Sequence, residues 1–530
     1  MDKKYKLILL VILSGLGFAY SWLPVGFPFI IFVAFIPVLF IEEQFFINKR
    51  KSGLLLLYVY PVFFIFNLMT TWWISNATVV GAIFAIVLNA LFMTLIVFLS
   101  HLIRKKTNSL ISFISLICFW LAFEYLHLRW DLSWPWLSLG NVFASYPSIV
   151  QWYEFTGILG GSLWILIINI LLFNAFKYLR NNNFANSFII VTLFLLVIPI
   201  LFSFIIYRGY KEKGKKINVT VVQPNIDPYN EKFGGMELNL QIDRMLFLAK
   251  EQIDISTELV VFPETAISET VWENNLSGEE AVLRIKKFIA EYQGLSVLIG
   301  VSSFKMYNNK KDITPTARKY YGDSLFYDAF NSALYIEADG AMQIYHKSKL
   351  VPGVEKMPYP AFFKPLEKFS IDLGGMTGSL GTQDNRIPFY DKKRDIRIAP
   401  AICYESIYGE FLGEYIKNGA KLICIITNDG WWGNTAGYKQ HFEYARLRAI
   451  ETRRFIVRSA NTGISGIINQ RGDVIKSSNW WTATAFSDEV ILNDKITFYA
   501  RFGDYIGKYS LYFSFIILLY VIIKRVACNV

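Results

Sequence analysis

Eight apolar runs, each close to the roughly 20 residues that a bilayer core asks of a helix, dominate what this chain can fold into. Seven precede Tyr207, at about Leu7–Trp22, Phe27–Ile41, Leu54–Trp73, Val79–Ile103, Leu110–Leu128, Ile158–Leu179 and Ser187–Tyr207. The eighth, about Tyr509–Ile523, closes the chain. Lys3, Lys4 and Lys6 precede the first run as in a signal peptide. The second run follows within a few residues, however, with no Ala-x-Ala-like cleavage site, so a span is the better reading. Charge divides the chain in the same way. Residues 1–207 carry 12 Lys/Arg and 6 Asp/Glu out of 53 and 42 in the whole chain. The first part is built for lipid and the rest for water.

Loop charges orient the spans. Lys49-Arg50-Lys51, Arg104-Lys105-Lys106, and Lys177 with Arg180 follow spans two, four and six, whereas 74–78 has no basic residue and 129–157 has one. The positive-inside rule then puts the N-terminus inside and everything after span seven outside. Lys524-Arg525, after span eight, returns inside. The stretch from Arg208 to Lys216 is basic on the outside, but it leads into a long domain, where the rule is weak. The net charge of +11 belongs to these loops and to anionic headgroups. Nucleic acid is not an expected partner.

The remaining segment alternates short β-rich runs (Ile217–Gln223, Leu259–Phe262, Val297–Ser302, Ala333–Ile336, Ile396–Ile402, Leu422–Ile426, Phe455–Ser459) with helical stretches such as Leu238–Ile253, Gly278–Tyr292 and Tyr438–Thr452. Buried strands separated by amphipathic helices predict a layered α/β domain. The expected organisation is a seven-helix membrane domain over 1–207, a catalytic domain over 208–508, and a final span with a short tail over 509–530.

Four cysteines are too few for a disulfide framework in a chain this long. The four histidines show no metal-ligand spacing, so neither a metal nor another cofactor is expected. Cys403 ends the apolar strand I-R-I-A-P-A-I-C, where open α/β sheets place their sites. Glu264 follows a second strand and a proline in L-V-V-F-P-E-T-A. Lys347, Lys349 and Glu355 lie in Y-H-K-S-K-L-V-P-G-V-E-K-M-P. Taken singly, each has a bland reading: a buried core thiol, a surface acid, a solvated loop. Together they supply a base, a cation and a thiol. Glu264 can take the thiol proton, and Lys347, with a backbone N–H near Tyr404, can stabilise the oxyanion formed when a carbonyl is attacked. That chemistry is acyl transfer through a thioester.

P-E-T at Glu264, K-S-K-L-V-P…E at Lys347 and I-C-Y-E at Cys403 resemble, in that order, the Glu-Lys-Cys triad of the nitrilase superfamily. Further matches are T-N-D-G-W-W-G at Thr427–Gly433 and the stretch from His441 to R-S-A-N-T-G-I-S at Arg458–Ser465. With eight spans, and W-P-W-L-S-L-G at Trp134–Gly140 in an outside loop, the chain is similar to the membrane-embedded apolipoprotein N-acyltransferase branch. The resemblance implies an α-β-β-α sandwich, with Glu264 as base, Lys347 as oxyanion-stabilising cation and Cys403 as nucleophile. It also implies a second essential glutamate at Glu355, and matches Tyr404 and Glu405 to the two positions after the nucleophile. The chain departs from that pattern twice. It reads L-V-P-G-V-E where the family has L-V-P-F-G-E, and the tryptophan expected after Gln223-Pro224-Asn225 is replaced at best by Phe233.

The expected activity is transfer of an acyl chain from a membrane phospholipid to the N-terminal amine of a diacylglyceryl-cysteine apolipoprotein. The expected place is the outer face of a bacterial inner membrane. Two other classes stand beside it. A membrane-tethered amidase or nitrilase would use water as the second nucleophile. A transporter would need ionisable residues along a pathway within its spans, and Glu124 alone falls inside an apolar run. Finally, prolines and aromatics from about Tyr359, including Phe362 and Phe363, followed by a glycine-rich run to Gly381, predict a mobile lid over Cys403.

Overall fold

The computed structural model describes residues 3–178, 182–320, 325–359 and 379–527. Phe362, Phe363 and most of the segment expected to form a lid lie outside these residues. The chain divides into two compact units, one comprising Met1–Ser75, Val79–Tyr210 and Phe502–Val530, the other Asn76–Thr78 and Lys211–Arg501.

Among the described residues, eight helices are long and apolar enough to cross a membrane: Lys4–Ser21, Pro28–Ile47, Gly53–Asn76, Val79–Lys106, Ser109–His127, Tyr153–Tyr178, Asn186–Gly209 and Tyr505–Lys524. Each coincides with an apolar run, but the second and fourth continue past it. Three more ionisable residues, Glu42, Glu43 and Arg104, therefore lie inside helices and are buried, as does His101 within the fourth run itself, which corrects the reading of Glu124 as the one such group. A helix tolerates these charges because they pair. Glu42 meets Arg104 and, at 2.7 Å, His101 Nδ1; Glu43 meets Arg104 and, at 2.7 Å, Lys177. Together they tie three helices to one another.

The segment read as an outside loop is packed inward. Pro135–Leu137 and Leu139–Phe143 are short 3-10 turns with every residue buried. Glu124 accepts the Leu139 N–H at 2.9 Å, and Ser162 Oγ accepts that of Gly140 at 3.0 Å. Gly140 must be glycine, because an added Cβ would lie 2.0 Å from the Ile158 carbonyl oxygen.

The second unit is built on fourteen strands among the described residues. They are β1 (Lys216–Gln223), β2 (Thr257–Val261), β3 (Ile267–Trp272), β4 (Ser296–Tyr307), β5 (Arg318–Lys319), β6 (Phe326–Ile336), β7 (Met342–His346), β8 (Phe389–Asp391), β9 (Ile396–Ile402), β10 (Leu422–Thr427), β11 (Ile456–Ala460), β12 (Gly466–Ile468), β13 (Val474–Ser477) and β14 (Thr484–Ile491). One sheet runs β14-β1-β2-β4-β6-β5, with β3 on β4 and β7 on β6; the other runs β13-β12-β11-β10-β9-β8. Their centres, β1-β2-β4 and β9-β10-β11, are parallel.

The sheets face each other. Ser459 Oγ on β11 donates to the Val222 carbonyl on β1 at 2.7 Å, and Tyr335 OH on β6 donates to Asp391 on β8 at 2.7 Å. Helices Leu238–Lys250 and Glu280–Ala290 cover the first sheet, burying Ile242, Met245, Val282, Ile285, Phe288 and Ile289 against Val260, Val297 and Ile299. Each such large side chain contributes roughly 1.5–3 kcal/mol. Helices Gly409–Lys417 and Ala436–Thr452 cover the second sheet. The result is the α-β-β-α sandwich. Three non-glycine residues hold left-handed backbone just beyond the C-terminal ends of parallel strands: Asn225 (φ 53) after β1, Thr265 (φ 51) after β2 and Cys403 (φ 52) after β9. Such strain persists where surrounding contacts over-determine it, and it clusters at functional sites.

Candidate active site

The strand ends bring Glu264, Lys347 and Glu355 into contact. Lys347 directly follows β7, and its backbone N–H continues the ladder to the Asn331 carbonyl on β6 at 2.8 Å. Its ammonium lies 3.1 Å from Glu264 Oε1 and 2.8 Å from Glu355 Oε1, with the side chain fully enclosed. Burial works against that charge, but the two carboxylates outweigh it and hold the Lys347 pKa well above the usual lysine range. Asn331 Nδ2 donates to both carboxylates, at 2.8 Å to Glu264 and 3.1 Å to Glu355. Glu264 Oε2 accepts the Asn428 backbone N–H at 3.0 Å, and Glu355 Oε2 accepts that of Val351 at 2.9 Å. Four carboxylate oxygens thus share one ammonium and a fixed set of N–H donors.

Cys403 stands at the turn from β9 into a 3-10 helix, Cys403–Ile407. Burial, then the Glu264 carboxylate, raise its thiol above the ordinary cysteine value, and Lys347 pulls the other way. The resting thiol is therefore neutral and needs a base to become nucleophilic. Glu405 is completely buried and reaches back to both strand ends. Its Oε2 accepts the Ile402 N–H at 2.8 Å; its Oε1 accepts the Ser348 N–H at 2.6 Å and Tyr345 OH at 2.7 Å. The Tyr404 ring is buried edge-on against Tyr408, with centroids 5.3 Å apart. Lys349 occupies different surroundings, its ammonium 5.2 Å from the Tyr408 ring centroid. Cys424 is buried within β10, and burial raises its thiol as well.

A second network supports the thiol. His441 Nδ1 lies 2.9 Å from Asp429 Oδ1, and Arg458 donates to Asp429 Oδ2 at 2.6 Å. His441 Nε2 lies 3.2 Å from the Cys403 carbonyl oxygen and 2.9 Å from Ser406 Oγ. Burial alone would raise the Asp429 pKa, but Arg458 and His441 push it down to about 2. Burial, then Arg458, lower that of His441. Cys403, Asp429 and His441 place their ligand atoms within 4.8 Å of one another, a grouping that the scattered histidine spacing did not indicate. The residues do not fit a metal, because the Arg458 guanidinium already supplies the cation at Asp429 and a dication there would face it.

Asn331, Asn428 and the Asp429–His441–Arg458 set carried no assigned role in the sequence. Asn331 had a legible signal, a lone amide in the buried strand A-F-N-S-A-L-Y-I. Phe233, nearest to the missing tryptophan, stacks on Trp431 with centroids 6.0 Å apart and planes at 15°.

The family model described as carbon-nitrogen hydrolase matches residues 218–494, and that of the apolipoprotein N-acyltransferase N-terminal domain matches residues 14–171. An apolipoprotein N-acyltransferase of Chlorobaculum tepidum is 27% identical over 528 residues, covering 97% of this chain and 95% of its own. One of Geobacter metallireducens is 26% identical, covering 94% and 91%. Apolipoprotein N-acyltransferase 1 of Treponema denticola is 24% identical, covering 98% and 96%.

Proposed function

We propose that this chain, which belongs to the carbon–nitrogen hydrolase family and its apolipoprotein N-acyltransferase branch, moves an acyl chain from a phospholipid to a lipoprotein amine through a thioester on Cys403. The observation that carries the reading is the buried Glu264–Lys347–Glu355 cluster at strand ends that also present a neutral thiol, in a chain with eight membrane-length helices among its described residues.

Glu264 takes the Cys403 proton, and the thiolate attacks the phospholipid ester carbonyl. The oxyanion forms beside the Lys347 ammonium and a backbone N–H near Tyr404, donors of the kind that stabilise developing negative charge. Collapse expels the lysophospholipid oxygen, which takes the proton back from Glu264, and leaves the thioester. The neutral amine of a diacylglyceryl-cysteine attacks next, Glu264 accepts its proton, and the Cys403 thiolate departs with an amide formed. Both substrates carry acyl chains, so a membrane-anchored enzyme meets them where they reside. The loop charges favour the outer face of a bacterial inner membrane as the place of reaction.

The test is mass spectrometry of the full chain in lipid nanodiscs. A mass increase of one acyl chain on the peptide holding Cys403, lost in Cys403→Ala and kept in Cys424→Ala, supports the reading. Equal loss from both variants, or hydrolysis of a small amide with no acyl adduct, overturns it.

A further inference from the structure

A second lysine is buried beside Glu264, and the reaction outlined above does not use it. Lys232 is 3% exposed. Among the described residues its ammonium makes one hydrogen bond, donating to the main-chain carbonyl of Glu264 at 2.9 Å. It has no carboxylate in direct contact among those residues, and the Phe233 ring centroid lies 5.7 Å from it. Taking an ammonium out of water costs several kcal/mol, normally offset by a close counter-charge and a full set of acceptors. A neutral amide would hold a carbonyl at less expense, so the charge needs a reason.

The surroundings supply one. The carbonyl that Lys232 grips belongs to the residue just before Thr265, whose backbone is left-handed at φ 51. Gly300 presses on the same turn from β4, donating its N–H to the Pro263 carbonyl at 3.1 Å. Lys232 is itself fixed, its N–H bonded to the Asp227 carbonyl at 2.9 Å and its carbonyl accepting Gln241 Nε2 at 3.0 Å. One face of the Glu264 residue thus meets Lys232 through its main chain, and the other meets Lys347 through its carboxylate.

We propose that Lys232 is a positioning residue for Glu264: its ammonium grips the Glu264 carbonyl and holds the strained turn that aims the carboxylate at Lys347 and the thiol. The proposal rests on Glu264 being the base. Burial lowers the Lys232 pKa to about 8, against the opposing pull of Glu264. Other charges near it are occupied. Asp227 accepts the Tyr229 N–H at 2.8 Å and Glu231 the Asp227 N–H at 2.9 Å, while Lys347 faces Glu264 from the far side. Loss of the Lys232 proton removes the charge and weakens the grip.

Two readouts on the full chain in nanodiscs test this: the rate of thioester formation from phospholipid, and the rate of Cys403 alkylation by iodoacetamide, each against pH. Lys232→Met is expected to slow thioester formation about 100-fold at pH 7, the scale of an ångström-level misplacement, with the dependence on phospholipid concentration unchanged. Lys232→Arg keeps charge and donors and does not titrate in this range. It is expected to retain most of the rate but to lose the alkaline change that wild type shows near pH 8 in both readouts. If Lys232→Met does not fold, Lys232→Arg decides through that alkaline limb. A folded Lys232→Met with wild-type rates, or a Lys232→Arg with the wild-type pH profile, overturns the proposal. If wild type never acquires an acyl chain while the alkylation profiles change as described, the acyl-transfer reading fails and the Lys232 assignment stands.

Discussion

Glu405 Oε1 accepts the backbone N–H of Ser348 at 2.6 Å. Ser348 is the neighbour of Lys347, and the other oxygen of Glu405 holds the N–H of Ile402, the neighbour of Cys403. One buried carboxylate therefore sets the spacing between the ends of β7 and β9, which belong to different sheets. Glu405→Gln places an NH2 group where every partner is a donor. The expected result is a loss of about 1–3 kcal/mol in stability and slower thioester formation with unchanged phospholipid binding, read from thermal unfolding and single-turnover kinetics.

Lys347→Met removes the one ammonium shared by two carboxylates. Thioester formation is expected to fall by about 10²–10³, the cost of losing one oxyanion donor. Stability is expected to drop by about 3–5 kcal/mol, because a buried charge loses its partner. Lys349→Met, beside the Tyr408 ring, is expected to stay within about 1 kcal/mol and to acylate normally. Parallel melts and acylation rates check both, and matching behaviour would sink the role of Lys347.

Gly300→Ala tests the turn that carries Glu264. An added Cβ would meet the Thr265 nitrogen at 2.4 Å, the Glu264 Cα at 2.6 Å and the Pro263 oxygen at 2.6 Å. Those are backbone atoms with no rotamer to yield, so the turn must shift. We expect a loss of about 1–3 kcal/mol together with reduced acylation. Gly53→Ala, with nothing within 4 Å, is the control and should change stability by no more than about 0.5 kcal/mol.

Acid should act on the network beneath Cys403 in two windows. His441 has a folded pKa below the ordinary imidazole value of about 6.5, so the unfolded chain binds its proton more readily and stability falls as pH drops below about 6.5. Asp429 is held at about 2 against an ordinary value of 3.8. Its contribution is present above the ordinary value and is lost as pH falls through that interval, on the order of 2 kcal/mol in all. His441→Gln should flatten the first window of a stability–pH curve and narrow the second without removing it, because Arg458 still holds Asp429 down. Loss of both windows, or of neither, would contradict the separation.

The local sequence announced whatever depends on a run of neighbouring residues. Each span holds a long, predominantly apolar stretch, and strands such as Leu422–Thr427, buried at every position, read as continuous hydrophobic runs because parallel strands are covered on both faces. Short or half-exposed strands, Val474–Ser477 among them, have no such signature and were not anticipated. The residue types at Glu264 and Cys403 were legible because each ends or closely follows an apolar strand, and Lys347 because it stands in the charged segment Y-H-K-S-K-L-V-P-G-V-E. Their relations were not. Glu264 and Lys347 lie 83 positions apart, and no local pattern states that both reach one ammonium–carboxylate contact, that Asn331 bridges Glu264 to Glu355, or that Lys232 grips the carbonyl of Glu264. Contacts of that kind depend on how strands from distant parts of the chain are ordered in two sheets, and burial decides their strength by removing the water that would otherwise compete for every charge.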